Sequence, residues 1–346
     1  VTLTAGPEVA ALAPTRRRLG GGYAGYAATK GLGALASLGF VLVVNFFLFR
    51  VLPGDPARTL GRGRFTTAEQ VEDFNATYGL DQPLPQQFWT YLTTTLSGDL
   101  GISLRYRVPV SELILDRIGP TLLLVGSSTV LAALIGIWIG VRAAWARGRA
   151  FDRFSTSTSL TLYSMPEWWL GLLLIATLAV GPGPLPGLFP TGGLHSVDAD
   201  PWSLAGVADT AHHLALPVLT LTLAYLADYA LVMRSSLLEE VRSDYLVTAR
   251  AKGLRDAAVR DRHAVPNALL PTTTVVALNF GFVVAGAITV ETVFSIPGLG
   301  LLATEALEIP DFWVLQGTFL VAATCVILAN LAANLLYGVL DPRVRT

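Results

Sequence analysis

Apolar residues in this chain come in long runs rather than at helical or strand intervals. Six runs, at about 31–52, 120–141, 154–180, 214–233, 268–290 and 312–340, are mostly apolar. Each is near or above the roughly 20 residues that a bilayer core demands. No barrel-like alternation interrupts them, and backbone in hydrocarbon must satisfy its own hydrogen bonds, so each run is predicted to be a helix. Polar residues gather between the runs. The chain thus divides into a tail at 1–30, a first span at 31–52, a polar interval at 53–119, a core at 120–340 and a short end at 341–346.

The intervals differ in character. The first carries LPGDP (52–56), YGLDQPLP (78–85) and SGDLGIS (97–103). Thr66 or Thr67 is placed to cap a short helix over 68–78, and 86–96 reads as another. The interval 181–211 is rich in Gly and Pro. The interval 291–311 contains FSIPGLGLLATEALEIP, too apolar for a free loop, and is expected to fold back against the helices. The stretch 235–271 is the opposite case, the longest charged interval in the chain, with seven basic residues when Arg234 is included.

Composition agrees with the pattern. The chain is 52% hydrophobic and 14% charged, with a mean hydropathy of +0.55, whereas soluble domains carry about a quarter charged residues. The net charge of −1 gives no footing for a nucleic-acid partner. The distribution of charge is the informative part. With the N-terminus inside, the inner segments hold Arg16–Arg18, Lys30, Arg142, Arg147, Arg149, Arg153, the seven of the charged stretch, Arg343 and Arg345. That is 17 of the 24 basic residues. This bias predicts cytoplasmic termini and a cytoplasmic 235–266 loop. The run behind Arg16–Arg18 is of span length and ends in no small-residue cleavage pattern, so the tail is read as leading into an uncleaved helix.

Candidate chemistry is sparse. Neither Lys30 nor Lys252 sits in a Gly-Lys-Ser/Thr phosphate loop, so ATP binding of that kind is not expected. No HExxH is present, the four histidines lack metal-ligand spacing, and no Gly-x-Ser-x-Gly elbow occurs. Cys325, the single cysteine, reads as a packing residue. Ionisable residues inside spans are the stronger candidates. Glu167, behind Pro166 in the third run, and Asp228 in the fourth either line a polar path or are buried against other helices. Asn279 and Glu291 join them as path candidates. Six steps separate Asp228 from Arg234, which places them on different helix faces. Pro166 is expected to kink its helix.

In the charged stretch, Leu237, Val241, Tyr245 and Ala249 recur at helical spacing and predict a stripe extending the fourth helix. Gly253 can end that helix in the left-handed conformation. Asp256 then starts a second helix through Ala264, broken by Pro266 and Asn267. So short a helix needs a support, and from these residues a protein partner and an anionic lipid surface are equally open.

TARAKGL (248–254) followed by HAVPNALLP (263–271) resembles the EAA loop of permease subunits in binding-protein-dependent ABC importers, in the dipeptide/oligopeptide/nickel branch. LPGDP, YGLDQPLP, GDLGIS, MPEWWLGLLL (165–174), ETVFSIPGLG (291–300) and LLYGVLDPRVR (335–345) carry the likeness along most of the chain, and LPGDP with the long first outer interval resembles the B-type member of a permease pair. The resemblance implies an all-α polytopic membrane protein of six transmembrane helices, with a type I ABC importer permease fold. It implies no catalysis and no cofactor in this chain. The expected partners are a homologous permease, two ATPase subunits or one fused tandem ATPase carrying Mg-ATP, and an extracytoplasmic binding protein. The expected setting is the bacterial inner membrane, with a peptide as cargo, or a nickel chelate or other small solute.

The resemblance also decides the open choice in favour of protein docking. It implies ATPase coupling through Thr248, Ala249, Arg250, Ala251, Lys252, Gly253 and Leu254, and through Asp256, Ala257, Val259, Arg260, His263 and Ala264. Closure of the ATPases would pull this element and rock the helices between inward- and outward-open states. The chain departs from the family pattern at Val247, where the naming Glu would fall, and at Pro266, where Arg is common, which should shorten the coupling helix or shift its exit. Asn334 replaces a common Asp, and Glu167 stands at a usually small polar position. A secondary carrier would instead predict inverted repeats and midplane ion sites, and a membrane enzyme would need a nucleophile or metal constellation; neither is visible.

Overall fold

The apolar runs form helices in the computed structural model, which describes residues 23–50, 81–181 and 187–340. In chain order they are α1 (Tyr23–Arg50), α2 (Leu84–Leu96), α3 (Val110–Trp145), α4 (Ala150–Tyr163) and α5 (Glu167–Leu174), which continues as a π-helical turn over Ile175–Ala179. There follow α6 (Leu204–Glu240), α7 (Asp244–Ala251) and α8 (Asp256–Val259), the last continuing as a π-helical turn over Arg260–Ala264. The last described elements are α9 (Val265–Val293), α10 (Leu299–Glu308) and α11 (Phe312–Leu340). The predicted helix over 68–78 lies outside the described residues.

Among the described residues, α1, α3, α6 and α11 are each long and apolar enough to cross a membrane, and the bent pair of α4 with α5 can supply a fifth crossing. The run at 268–290 lies within α9, whose 29 residues reach about 43 Å at the usual helical rise. Two boundaries move. The helix of the second run begins at Val110 and that of the fourth at Leu204, so the limits at 120 and 214 fall inside helices. Pro120 and Pro217 are carried within them, tolerated where neighbouring helices support the backbone.

The third run is not one kinked helix. Its halves meet at 105° around Ser164–Pro166. Pro166 has extended backbone and stands just before α5. A proline disfavours helical geometry in the residue before it, and its ring opposes the preceding turn.

The core is built on close approach of α3 to α6. Ala132, Gly136, Gly140 and Ala144 form a stripe of small residues at four-residue spacing. A Cβ at Gly136 would lie 2.7 Å from the Leu226 carbonyl oxygen, and one at Gly140 would lie 2.6 Å from that of Ala230. Such stripes let helix backbones touch. α1 lies along α11, with the Tyr26 hydroxyl donating to the Asn334 carbonyl and the Asn45 amide to that of Gln316. As expected, the interval 291–311 folds back: it forms α10, which buries Leu299, Leu302, Ala303 and Ala306 against the bundle.

Candidate functional site

The charged stretch departs from a continuous stripe. α6 ends at Glu240, a turn covers 241–243, and α7 restarts at Asp244. Gly253 follows α7 with φ +79°, and a Cβ there would meet no atom within 4 Å, so the backbone conformation is what favours glycine. Beyond it the chain is helical from Asp256 through Val293 without interruption. Pro266 therefore neither breaks nor shortens this element. The π-helical turn at 260–264 winds more widely just before the proline ring and its missing N–H. The Asn267 amide donates to the His263 carbonyl and to the Tyr245 hydroxyl, at 3.1 and 3.0 Å.

This short element rests on an apolar cluster of its own chain. Val259, Ala264 and Ala249 are buried there with Leu246, Leu237, Met233 and Ala144. Those three expected coupling residues thus face the ends of α3, α6 and α9 and are not open to a partner, because so short a helix needs an apolar support. The outward side is different. Thr248, Arg250, Ala251, Lys252, Gly253, Leu254, Asp256 and Ala257 are exposed, and Arg260 and His263 are partly so.

Polar tethers fix the element's position. The Trp145 indole N–H donates to Asp256 at 2.7 Å, and Arg250 lies 3.8 Å from the same carboxylate. The Tyr245 hydroxyl donates to Glu240; burial pushes this phenol's pKa up, and the carboxylate adds to the effect. Arg260 lies 2.7 Å from Asp261 and holds its carboxyl below the usual range. Arg234 pairs not with Asp228 but with Asp152 of α4, through bonds of 2.6 and 3.1 Å. Asp152 also accepts from the Gly148 amide.

The path candidates separate. Glu167 heads α5 at the break in the third run and accepts a 2.8 Å bond from the Tyr225 hydroxyl of α6. Asp228 is partly buried one turn beyond Tyr225. Glu291 is 0% exposed and accepts from the Thr121 hydroxyl at 2.6 Å and the Gly300 and Leu301 amides at 2.7 and 3.2 Å. It thus clamps the start of α10 to α9, and Thr121 completes the clamp by accepting from the Leu299 amide. An apolar cavity of about 220 Å³ lies nearby between α9, α10, α11 and Thr121 of α3, but Glu291 does not line it. Asn279 falls within α9; its side chain lies outside the described residues. Among the described residues no group of three His, Cys, Asp or Glu side chains is arranged to hold a metal ion.

The comparisons with known proteins agree with this architecture. Residues 134–346 match the family described as "Binding-protein-dependent transport system inner membrane component", and residues 26–125 match its N-terminal counterpart. The chain belongs to this permease family. The "Dipeptide transport system permease protein DppB" of Escherichia coli strain K12 is 39% identical over 88% of this chain and 94% of its own length. The "Glutathione transport system permease protein GsiC" of Pectobacterium atrosepticum is 39% identical over 91% and 96%. A solved structure of the MetNI methionine ABC transporter has a TM-score of 0.52 at 18% identity, covering 66% of this chain and 96% of that one. It establishes the ABC-importer permease fold. This permease is therefore a multi-pass inner-membrane component and not a catalytic subunit, and its family carries no cofactor in the chain. Binding-protein dependence implies a binding protein and ATPase subunits as partners.

Several residues of this permease escape sequence reasoning. Trp145 and Asp152 lie at the ends of apolar runs, where single ionisable or aromatic residues are common. The four-residue spacing of Gly136 and Gly140 is a legible signal, since Gly-x-x-x-Gly in an apolar run marks a helix contact. The partner helix is not legible from that motif.

Proposed function

We propose that this permease has six transmembrane helices with both termini in the cytoplasm. It pairs with a homologous permease, and two ATPases, or one tandem ATPase, dock on the loop 235–266. An extracytoplasmic binding protein delivers the cargo, a di- or oligopeptide. Relatives named for dipeptide and glutathione transport support a peptide-like cargo. The observation that carries the docking reading is the two-sided element around Gly253. Its apolar side is held by the bundle, while Arg250, Lys252, Leu254 and Ala257 stand open. A partner gripping the open side would move the ends of α3, α6 and α9 together. ATP binding then biases a bistable bundle.

Gly253→Val tests this. The substitution meets no neighbour but strains a left-handed backbone, costing roughly 1–2 kcal/mol. In the reconstituted complex, uptake is expected to fall severalfold while ATP hydrolysis continues. Unchanged coupling would remove Gly253 from the role. Transport by this chain in liposomes without any ATPase subunit would end the importer reading.

A further inference from the structure

The C-terminal end of α3 carries an exposed face that the contact with α6 does not use. Val130, Leu134, Trp138 and Arg142 follow one another at four-residue spacing and are all exposed. They stand two residues out of step with Ala132, Gly136 and Gly140, about 200° around the helix, and so point away from α6. The Arg142 guanidinium lies 4.6 Å from the centroid of the Trp138 ring, and that ring meets Phe151 of α4 edge to face at 6.4 Å. Phe154, one turn further along α4, is 74% exposed. Arg147 and Arg149 occupy the turn between the two helices and Arg153 the first turn of α4, all three exposed. Within 138–154 the one carboxylate is Asp152, which is buried and held by Arg234. Among the described residues, Arg142, Arg147, Arg149 and Arg153 take part in no ion pair.

We propose that this face is a binding site for the headgroup of an anionic phospholipid, with Trp138, Phe151 and Phe154 against the upper part of its acyl chains. Only the choice of the inner leaflet rests on the proposed topology. Charge complementarity selects the occupant, since four arginines without a counter-charge flank an aromatic cluster at the end of a helix long enough to span. Aromatic rings mark the headgroup level of spanning helices, and basic residues grouped between helices at that level bind anionic headgroups. The stack on Trp138 directs the long Arg142 side chain before any lipid arrives, which lowers the entropic cost of binding. A second permease would bring basic inner segments of its own to the same level, setting like charges opposite one another. A cytoplasmic ATPase is met by a surface that projects beyond the bilayer, whereas this face continues the exposed apolar stripe of Val130 and Leu134.

The test titrates the assembled transporter, in a neutral detergent, with phosphatidylglycerol or with phosphatidylcholine and counts retained lipid by native mass spectrometry. Half-retention of phosphatidylglycerol is expected at about tenfold lower concentration than that of phosphatidylcholine. Arg142→Gln combined with Arg149→Gln should raise the phosphatidylglycerol value about tenfold. Arg242→Gln combined with Arg262→Gln, an equal loss of charge at exposed positions elsewhere, should leave it unchanged. Trp138→Leu keeps an apolar side chain but removes the stack, and should weaken retention of phosphatidylglycerol more than that of phosphatidylcholine. Equal retention of the two lipids by the unsubstituted transporter overturns the proposal, and that comparison needs no variant to fold. Equal loss in both double variants would show diffuse attraction to net charge and overturns it too. So does displacement of the lipid by inorganic phosphate at the lipid's own concentration, the mark of a free-anion site. Loss of assembly in the Arg142/Arg149 variant would assign the face to a partner subunit, with the same consequence. Counting lipid requires neither cargo nor ATP hydrolysis, so these outcomes are distinct from failure of the importer reading.

Discussion

Glu291 shows what burial does to the meaning of a residue. An ionisable side chain at the end of a spanning helix is a functional candidate by default, yet its two oxygens are engaged by a hydroxyl and two amides at the start of α10. There is no room to spare around it: a Cβ on Gly298 would lie 2.3 Å from its carboxyl carbon. Glu291→Ala leaves those donors unpaired, which costs roughly 2–5 kcal/mol in total. A clearly lowered Tm of the detergent-purified transporter is expected, with Glu291→Gln milder because it retains an acceptor oxygen. An alanine variant as heat-stable as the parent would contradict the clamp. Glu167 differs in kind, since its single described bond is to Tyr225 at a break in the span. Irregular backbone at membrane depth is tolerated where protein buries it or where it lines a cavity.

At the scale of elements, α3 and α6 depend on close backbone approach at Gly136 and Gly140. Gly140→Val would set a Cβ 2.6 Å from the Ala230 carbonyl oxygen and 2.7 Å from the Met233 Cβ, neither of which is the end of a flexible chain. Overpacking of this kind costs roughly 1–3 kcal/mol or more. A lower yield of folded protein and a lower Tm are expected, whereas Gly126→Val, where no neighbour lies within 4 Å, should be tolerated. Equal behaviour of the two variants would argue against close packing at Gly140. The same helix pair ends at the charged stretch, where Ala144 and Trp145 of α3 and Met233 and Leu237 of α6 join the α7–α8 element in one cluster. Helix contact between α3 and α6 and the charged element are therefore mechanically continuous.

For the whole molecule, the proposed topology makes a direct prediction. A cysteine introduced at Val197 in a Cys325→Ala background should be labelled by an impermeant reagent applied outside intact cells. One at Arg255 should be labelled only after the membrane is opened. Both positions are exposed, so accessibility within the protein does not confound the comparison. The reverse pattern would invert the positive-inside assignment and move the charged stretch away from cytoplasmic ATPases.

Composition and run length alone determined that this chain is a helical membrane protein, because hydrocarbon leaves the backbone no other solution than helices where barrel alternation is missing. The motifs around Gly253 determined its family by resemblance, and the left-handed conformation there followed from glycine's missing Cβ. Tertiary structure decided which side of each element is available. The sequence 256–264 reads as one contact face, but Val259 and Ala264 turn inward because a short helix must bury its apolar side on something. The Leu237–Ala249 stripe reads as one helix, but the chain turns at 241–243. Pro166 reads as a kink and is a 105° break, whereas Pro266 reads as a break and is absorbed by a π-helical turn. A proline's cost depends on whether neighbouring backbone can rewind around it, and that is set by packing partners distant in sequence.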